Sequence, residues 1–119
     1  MTTKTYKVAS NRGHKRVWIE GKILLEHGFQ RGMKFARTMS GDRYIVSGGE
    51  DVLVEKAYMK LQFEGEGKHT IAGTPERPII DLNGKYLDAL FEGFTHYVAE
   101  FWPAEKNYPA FIEIYGVNP

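Results

Sequence analysis

The sequence predicts a β-rich α+β domain, one fused barrel made of two strand–short helix–hairpin units. Three observations predict it. Short runs of β-branched, aromatic or alternating residues recur between glycine-led turns, the pattern of antiparallel strands. Only two stretches, over 23–27 and 84–91, read as helix, and each is about two turns long. The element order strand, short helix, glycine, strand, turn, strand also occurs twice. At 119 residues there is room for one core and not two, so both units must share it.

Taken in order, residues 1–15 are polar and basic, with a turn cluster at Asn11-Arg12-Gly13-His14. They are expected to form a short strand over 5–9 or a mobile arm. Arg16-Val17-Trp18-Ile19 has the β-branched and aromatic content of a strand, broken at Gly21. Ile23-Leu24-Leu25-Glu26-His27 follows as helix. Gly28 suits the left-handed position past the helix end, and Phe29 suits the apolar residue folding back on the last turn. Met33–Thr38 alternates apolar and polar as a half-buried strand. Ser40-Gly41-Asp42 reads as a tight turn into a strand over 43–46. Gly48-Gly49-Glu50-Asp51 punctuates the chain.

Residues 52–63 are ambiguous. Val52 and Val54 favour strand, whereas Leu53, Ala57, Tyr58 and Leu61 would share a helix face; strands over 52–56 and 59–63 are preferred. Glu64-Gly65-Glu66-Gly67 is a hairpin loop into 69–72, and Thr74–Pro78 is a loop stiffened by two prolines. A strand over 79–82, Asn83 as helix cap, the second helix ended by Gly93, an alternating strand over 95–101, a loop over 103–109 and a last strand over 110–115 complete the reading. The expected organisation is one domain: an N-terminal arm or strand (1–15), unit one with an insertion (16–73) and unit two (77–116).

The repeat shows as sequence too. A shift of 63 aligns Ile19-Glu20-Gly21-Lys22-Ile23-Leu24 with Leu82-Asn83-Gly84-Lys85-Tyr86-Leu87, and Phe35 with Val98. A unit this small cannot bury its own apolar face, but two together can. Hence a pseudo-dimer within one chain is expected, as a monomer or as a homodimer.

Composition excludes several classes. There is no cysteine, so disulfides, thiolate metal sites and cysteine nucleophiles are out. No apolar run approaches the roughly 20 residues of a membrane span, and the N-terminus is not a secretory leader; a cytoplasmic protein without membrane contact is expected. The formal charge of +1 conceals an asymmetry. Residues 1–37 hold nine Lys/Arg against two Glu, a net of +7; the remaining seven Lys/Arg face thirteen Asp/Glu, a net of −6. A basic third of this kind suits phosphates, although it equally suits attraction between the two parts of the fold.

The pattern Ile19-x-Gly21-x-x-Leu24-x-x-x-Gly28-Phe29-x-x-Gly32 resembles the signature of SymE-type toxins, members of the AbrB/MazE-like swapped-hairpin superfamily, over about residues 16–46. Arg16–Phe35, followed by Thr70-Ile71-Ala72-Gly73 and Pro78-Ile79-Ile80-Asp81-Leu82, is similar to an accessory segment of some bacterial and phage DNA cytosine methyltransferases. The chain lacks that enzyme's Pro-Cys nucleophile and its Phe-x-Gly-x-Gly cofactor loop, so it is not the methyltransferase itself, and 52–63 is longer than such segments hold. The resemblance implies a stand-alone swapped-hairpin barrel that binds nucleic acid or a protein.

The leading expectation is a small non-enzymatic nucleic-acid-binding or regulatory protein, DNA being favoured over RNA. Arg12, Lys15, Arg16, Lys22, Arg31, Lys34 and Arg37 are the candidate phosphate contacts. The alternative is a protein-binding inhibitor or modulator of phage or mobile-element anti-defence type, using the acidic, aromatic second half through Glu92, Glu100, Phe101 and Trp102. A toxin-like ribonuclease is the third, with Glu64, Glu66 and Glu76 near Lys68 and His69 as the carboxylates to consider. Neither metal nor cofactor is expected: His14, His27, His69 and His96 lack ligand spacing, and no Gly-Lys-Ser/Thr follows Gly48-Gly49 to make a phosphate loop.

Overall fold

A computed structural model describes residues 1–46, 52–64 and 67–119. The glycine punctuation at 48–51 and loop residues Gly65 and Glu66 lie outside the described residues. The chain runs β1 (Thr2–Lys7), β2 (Ala9–Asn11), β3 (His14–Glu20), α1 (Lys22–Glu26), β4 (Lys34–Val46), β5 (Val52–Gln62), β6 (His69–Thr70), β7 (Ala72–Gly73), β8 (Pro78–Asn83), α2 (Lys85–Leu90), β9 (His96–Trp102) and β10 (Phe111–Val117). It is β-rich with two antiparallel sheets, one ordered β1-β9-β10-β5-β4-β6 and one ordered β2-β3-β8-β7. The two are joined at both edges. Only Val8 separates β1 from β2, and only Ile71 separates β6 from β7. At those residues the strand leaves one sheet for the other, so the ladders stop there and the expected barrel is not closed. Backbone bonds still hold both bends: Val8 N–H donates to Thr95, and Ile71 N–H to Met33.

The registers carry the repeat. Trp18 faces Asp81 across β3 and β8, and these residues are 63 apart. Shifting by 63 turns the pair Val17–Leu82 into Ile80–Ile19, which is itself a pair of the same ladder. The pairing is therefore unchanged when the two units are exchanged. The same shift takes Ala9, paired with Arg16, to Ala72, paired with Ile79. It also takes Tyr6 to His69, whose partners are Tyr97 and Phe35. Hence Phe35 corresponds to Tyr97, and the expected match with Val98 is off by one residue. The aromatic pairs agree: Tyr6 lies 5.3 Å from Tyr97 and His69 lies 5.2 Å from Phe35, both stacked. Burial pushes the Tyr6 hydroxyl up to about 12 and raises Tyr97 further.

Alternation along the strands fills one core. Val17, Ile19, Ile80 and Leu82 come from the small sheet; Phe35, Met59, Leu61, Tyr97, Ala99, Phe101, Ile112 and Ile114 come from the large one. Leu24 of α1 and Leu87 and Leu90 of α2 are buried with them. Each helix starts at a glycine, Gly21 or Gly84, without a side-chain cap. Asn83 is therefore not the expected cap; it is the exposed last residue of β8. The end of α1 is as expected. Gly28 has φ +83°, its N–H donates to Leu25, and the Phe29 N–H donates to Leu24 at 2.9 Å. That double bond closes the last turn, with Phe29 and Leu24 both buried.

Two local expectations fail in the middle of the chain. Ser40-Gly41-Asp42 is no turn: it lies inside the 13-residue β4, paired to Tyr58, Ala57 and Lys56. Residues 52–62 are one strand rather than two, and not helix. The unbroken ladder from Ala36↔Gln62 to Val46↔Val52 overrides the turn signal, because a long antiparallel pair satisfies the backbone donors and acceptors that face the partner strand all along the segment. β10 reaches only as far as Met59 on β5, so beyond Tyr58 the pair continues as a two-stranded ribbon. The N-terminal residues are a paired strand and not a mobile arm: Thr2–Lys7 pairs with β9 throughout.

Gly28→Ala should lower stability by about 1 kcal/mol through backbone strain alone, since nothing lies within 4 Å of the added Cβ. Chemical denaturation measures it, and an unchanged midpoint would show an ordinary backbone at Gly28. A fragment of residues 1–62 lacks the partners of β1 and β3, β9 and β8. It should show no cooperative, concentration-independent unfolding transition; such a transition would mean that each unit closes its own core.

Candidate nucleic-acid interface

A hollow lined by cations forms where the two units exchange strands. β6 belongs with the second unit by the repeat, yet it pairs with β4 of the first: Lys34↔Thr70 and Phe35↔His69. The preceding loop is held down by Gly67, where a Cβ would collide with the Phe35 backbone. Lys68 and His69 are thereby set beside Ala36 and Arg37, and these four line a hollow of about 310 Å³. Lys34 Nζ donates to Thr70 Oγ1 at 2.7 Å on the same strand pair. The Arg37 guanidinium lies 3.7 Å from the Tyr86 ring centroid, a cation–π contact worth about 0.5–1 kcal/mol at an exposed site. Among the described residues, Lys34, Arg37 and Lys68 take part in no ion pair. The field of that cluster is visible on His69: partial burial, then the charges of Arg37 and Lys68, hold its pKa below the usual histidine value.

The other expected phosphate contacts are spread out. Arg16 is committed to Asp81, with Nε donating at 2.8 Å and a terminal nitrogen at 3.0 Å, and its guanidinium lies 4.3 Å from the Trp18 ring centroid. Lys15 donates its backbone N–H to Asp88, which also accepts from His14 at 2.7 Å. Those two bonds hold the Asp88 carboxyl below its ordinary value. Arg12 is exposed at the β2–β3 turn with φ 53°. Lys22 is exposed on α1, and Arg31 borders a separate hollow of about 200 Å³ with Leu25, Gln30 and Pro75. Of the seven, Arg37 lines the hollow beside Lys68, while Lys34, three residues earlier on β4, projects to the other face of the strand and bonds Thr70. Lys68, His69 and Tyr86 complete the cluster and were not singled out as site residues from sequence. Their only sequence signal was the adjacency Lys68-His69 and the aromatic at the second helix start.

The alternative partner face also divides. Glu92 is exposed after α2, Glu100 accepts from the Tyr115 hydroxyl at 3.1 Å, and Trp102 points outward against Phe111. Phe101 is a correction: it alternates to the inner side of β9, is fully buried and packs on His27 at 4.8 Å, so no partner can reach it. Glu64 borders a different hollow with residues 104–109, and Glu76 is exposed in the 74–77 turn. His27 Nδ1 donates to the Ile23 carbonyl, and His96 bonds the Thr95 hydroxyl. Among the described residues no helix is long and apolar enough to cross a membrane. Compared with protein-family models, curated proteins and solved structures, the chain matches none.

The unfolded chain takes up a proton on residue 69 near pH 6.5, before the folded chain does. The contribution of His69 to stability is thus complete above about pH 6.5 and is lost as pH falls through the folded value. In an NMR titration the His69 ring should have a midpoint below about 6.5, and Arg37→Gln or Lys68→Gln should each move it upward. A midpoint insensitive to both substitutions would separate His69 from the cations.

Proposed function

We propose that this chain is a swapped-hairpin-type pseudo-dimer that binds nucleic acid, with Lys34, Arg37 and Lys68 as its phosphate contacts. The observation that carries this reading is the pair of cations, Arg37 and Lys68, that line one hollow with no carboxylate among its described lining residues, with Lys34 on the adjoining strand pair. Cations placed without counter-charge repel one another, and a polyanion relieves that repulsion. Tyr86 fixes Arg37 from below and Thr70 fixes Lys34 from the side, so the cations lose little freedom on binding. The exchange of strands 2–11 and 69–73 between the two units supports the swapped-hairpin assignment, because each unit's leading strand pairs with the other unit's hairpin. Arg16 acts here as a fold-joining ion pair and not as a phosphate contact.

Three phosphate contacts should make log affinity fall against log salt with a slope of roughly −2 to −3, about 0.7 per contact on single strands and 0.9 on duplexes. Lys34→Glu combined with Arg37→Glu should flatten the slope by roughly two, while unfolding midpoints hold, since exposed charge changes cost within about 0.5 kcal/mol each. Absence of salt-dependent association with any DNA or RNA at about 50 mM salt would transfer the function to the protein-binding alternative at Glu92, Glu100 and Trp102.

A further inference from the structure

The outer face of the large sheet carries a second feature. Trp102 of β9 and Phe111 of β10 are register partners, and their rings lie nearly parallel, 12° apart, with centroids separated by 5.7 Å. Lys60 of β5 sits 4.1 Å from the Phe111 ring centroid. These three, with Pro103, Glu105 and Tyr108, border a hollow of about 280 Å³, just under the roughly 300–1,000 Å³ of a drug-sized pocket and suited to one planar ring. Tyr108 is 65% exposed. It does not serve the core, yet it is held: Glu105 and Tyr108 exchange backbone hydrogen bonds at 2.9 and 3.1 Å, and prolines 103 and 109 flank the turn. The Trp102 Nε1–H is buried without an acceptor among the described residues.

The hollow shares a sheet face with Ala36 and Lys34, whereas Arg37 falls in the inner-face row of Leu61, Ile112 and Phe101. One register row crosses the sheet as Trp102↔Phe111↔Gln62↔Ala36, and Ala36 lines the hollow of Arg37, Lys68 and His69. Three strand spacings separate its ends, about 14 Å. That row contains no carboxylate; Glu100 and Glu113 sit in the next one, opposite Lys60. An aromatic hollow at one end of an uncharged row and cations at the other fit a polymer that alternates flat bases with phosphates. A duplex keeps its base faces stacked inside, so only unpaired bases can use such a platform.

We infer that the chain's ligand is single-stranded nucleic acid, with a base stacked among Trp102, Phe111 and Tyr108 while neighbouring phosphates lie at Lys68 and Lys34. The inference rests on the phosphate-binding reading above. It is tested with three fluorescent probes of equal length: about twelve thymidines, within the usual 4–16-nucleotide footprint, an abasic strand of the same charge, and a duplex. The thymidine strand should bind at least about fivefold tighter than the abasic strand, the lower bound expected for one stacked base, and tighter than the duplex. Tyr108→Ala should erase the advantage over the abasic strand without changing the salt slope, and Tyr108→Phe should keep it. Equal affinity for thymidine and abasic strands, or tighter duplex binding, overturns the stacking proposal and leaves phosphate binding intact. Loss of salt dependence for every probe, with Lys34→Glu and Arg37→Glu silent, overturns both. If the free chain sediments as a dimer that Tyr108→Ala dissociates, the face belongs to a second copy and the proposal fails.

Discussion

The antiparallel pairing of β3 with β8 is the constraint on which the rest depends. It places Val17, Ile19, Ile80 and Leu82 on one inner face, and none of the four would be buried by its own unit. The ladder is unchanged when the units are exchanged, so whatever leaves one end of β3 has a counterpart at the other end of β8. Both helices begin at an equivalent glycine and drop an equivalent leucine, Leu24 or Leu87, into the core. The two bent edge strands follow from the same relation. A β-strand that passes from the small sheet to the large one at Val8 or Ile71 ties the sheets together on both sides, and in doing so reaches the other unit's hairpin. The cation cluster exists because of that reach: without β6 crossing to β4, Lys68 and His69 would not meet Arg37.

The charge asymmetry of the sequence resolves into two parts. Some of it is neutralised across the β3–β8 seam. Arg16 meets Asp81, His14 and Lys15 meet Asp88, and in the opposite sense Glu20 accepts twice from Arg77. Exposed pairs of this kind contribute only about 0–1 kcal/mol each, but they fix which strand faces which and disfavour slippage, since a one-residue shift would place each charge on the other face. Lys34 and Arg37 of the basic part, and Lys68 of the acidic part, have no such partner among the described residues. Attraction within the fold and a basic surface for a polyanion are therefore both present, at different residues.

What was legible in the sequence was local. The Gly28-Phe29 helix stop, the half-buried alternation of residues 33–38 and the strand types around Gly21 and Gly84 are decided within a few residues. The 63-residue shift was legible because the glycine and leucine of each helix are spaced by the turn itself. The failures required distant partners. Ser40-Gly41-Asp42 looks like a turn until the backbone ladder is seen to run through it, with Gly41 opposite Ala57 and Asp42 opposite Lys56. Lys34 and Arg37 stood out as cations of a basic unit. Nothing local could show that Lys68, His69 and Tyr86 join them, or that Asp81 removes Arg16.

The same symmetry argues that the chain has one cation site and not two. Under the shifts that relate the units, the positions equivalent to Lys34, Arg37, Lys68, His69 and Tyr86 are His96, Ala99, Thr5, Tyr6 and Ile23. The backbone is repeated, the stacked pair Phe35–His69 is answered by Tyr97–Tyr6, and the charges are not. The second copy instead packs Tyr6 against the core, with its hydroxyl buried and without a partner among the described residues. A homodimeric ancestor geometry would present two equivalent surfaces to a two-fold ligand such as a duplex palindrome. Among the described residues, the pseudo-dyad is retained in the core and does not yield two equivalent cation clusters at the surface. One basic hollow, joined by a carboxylate-free row to one aromatic hollow, is the arrangement that a directional, unpaired strand would select.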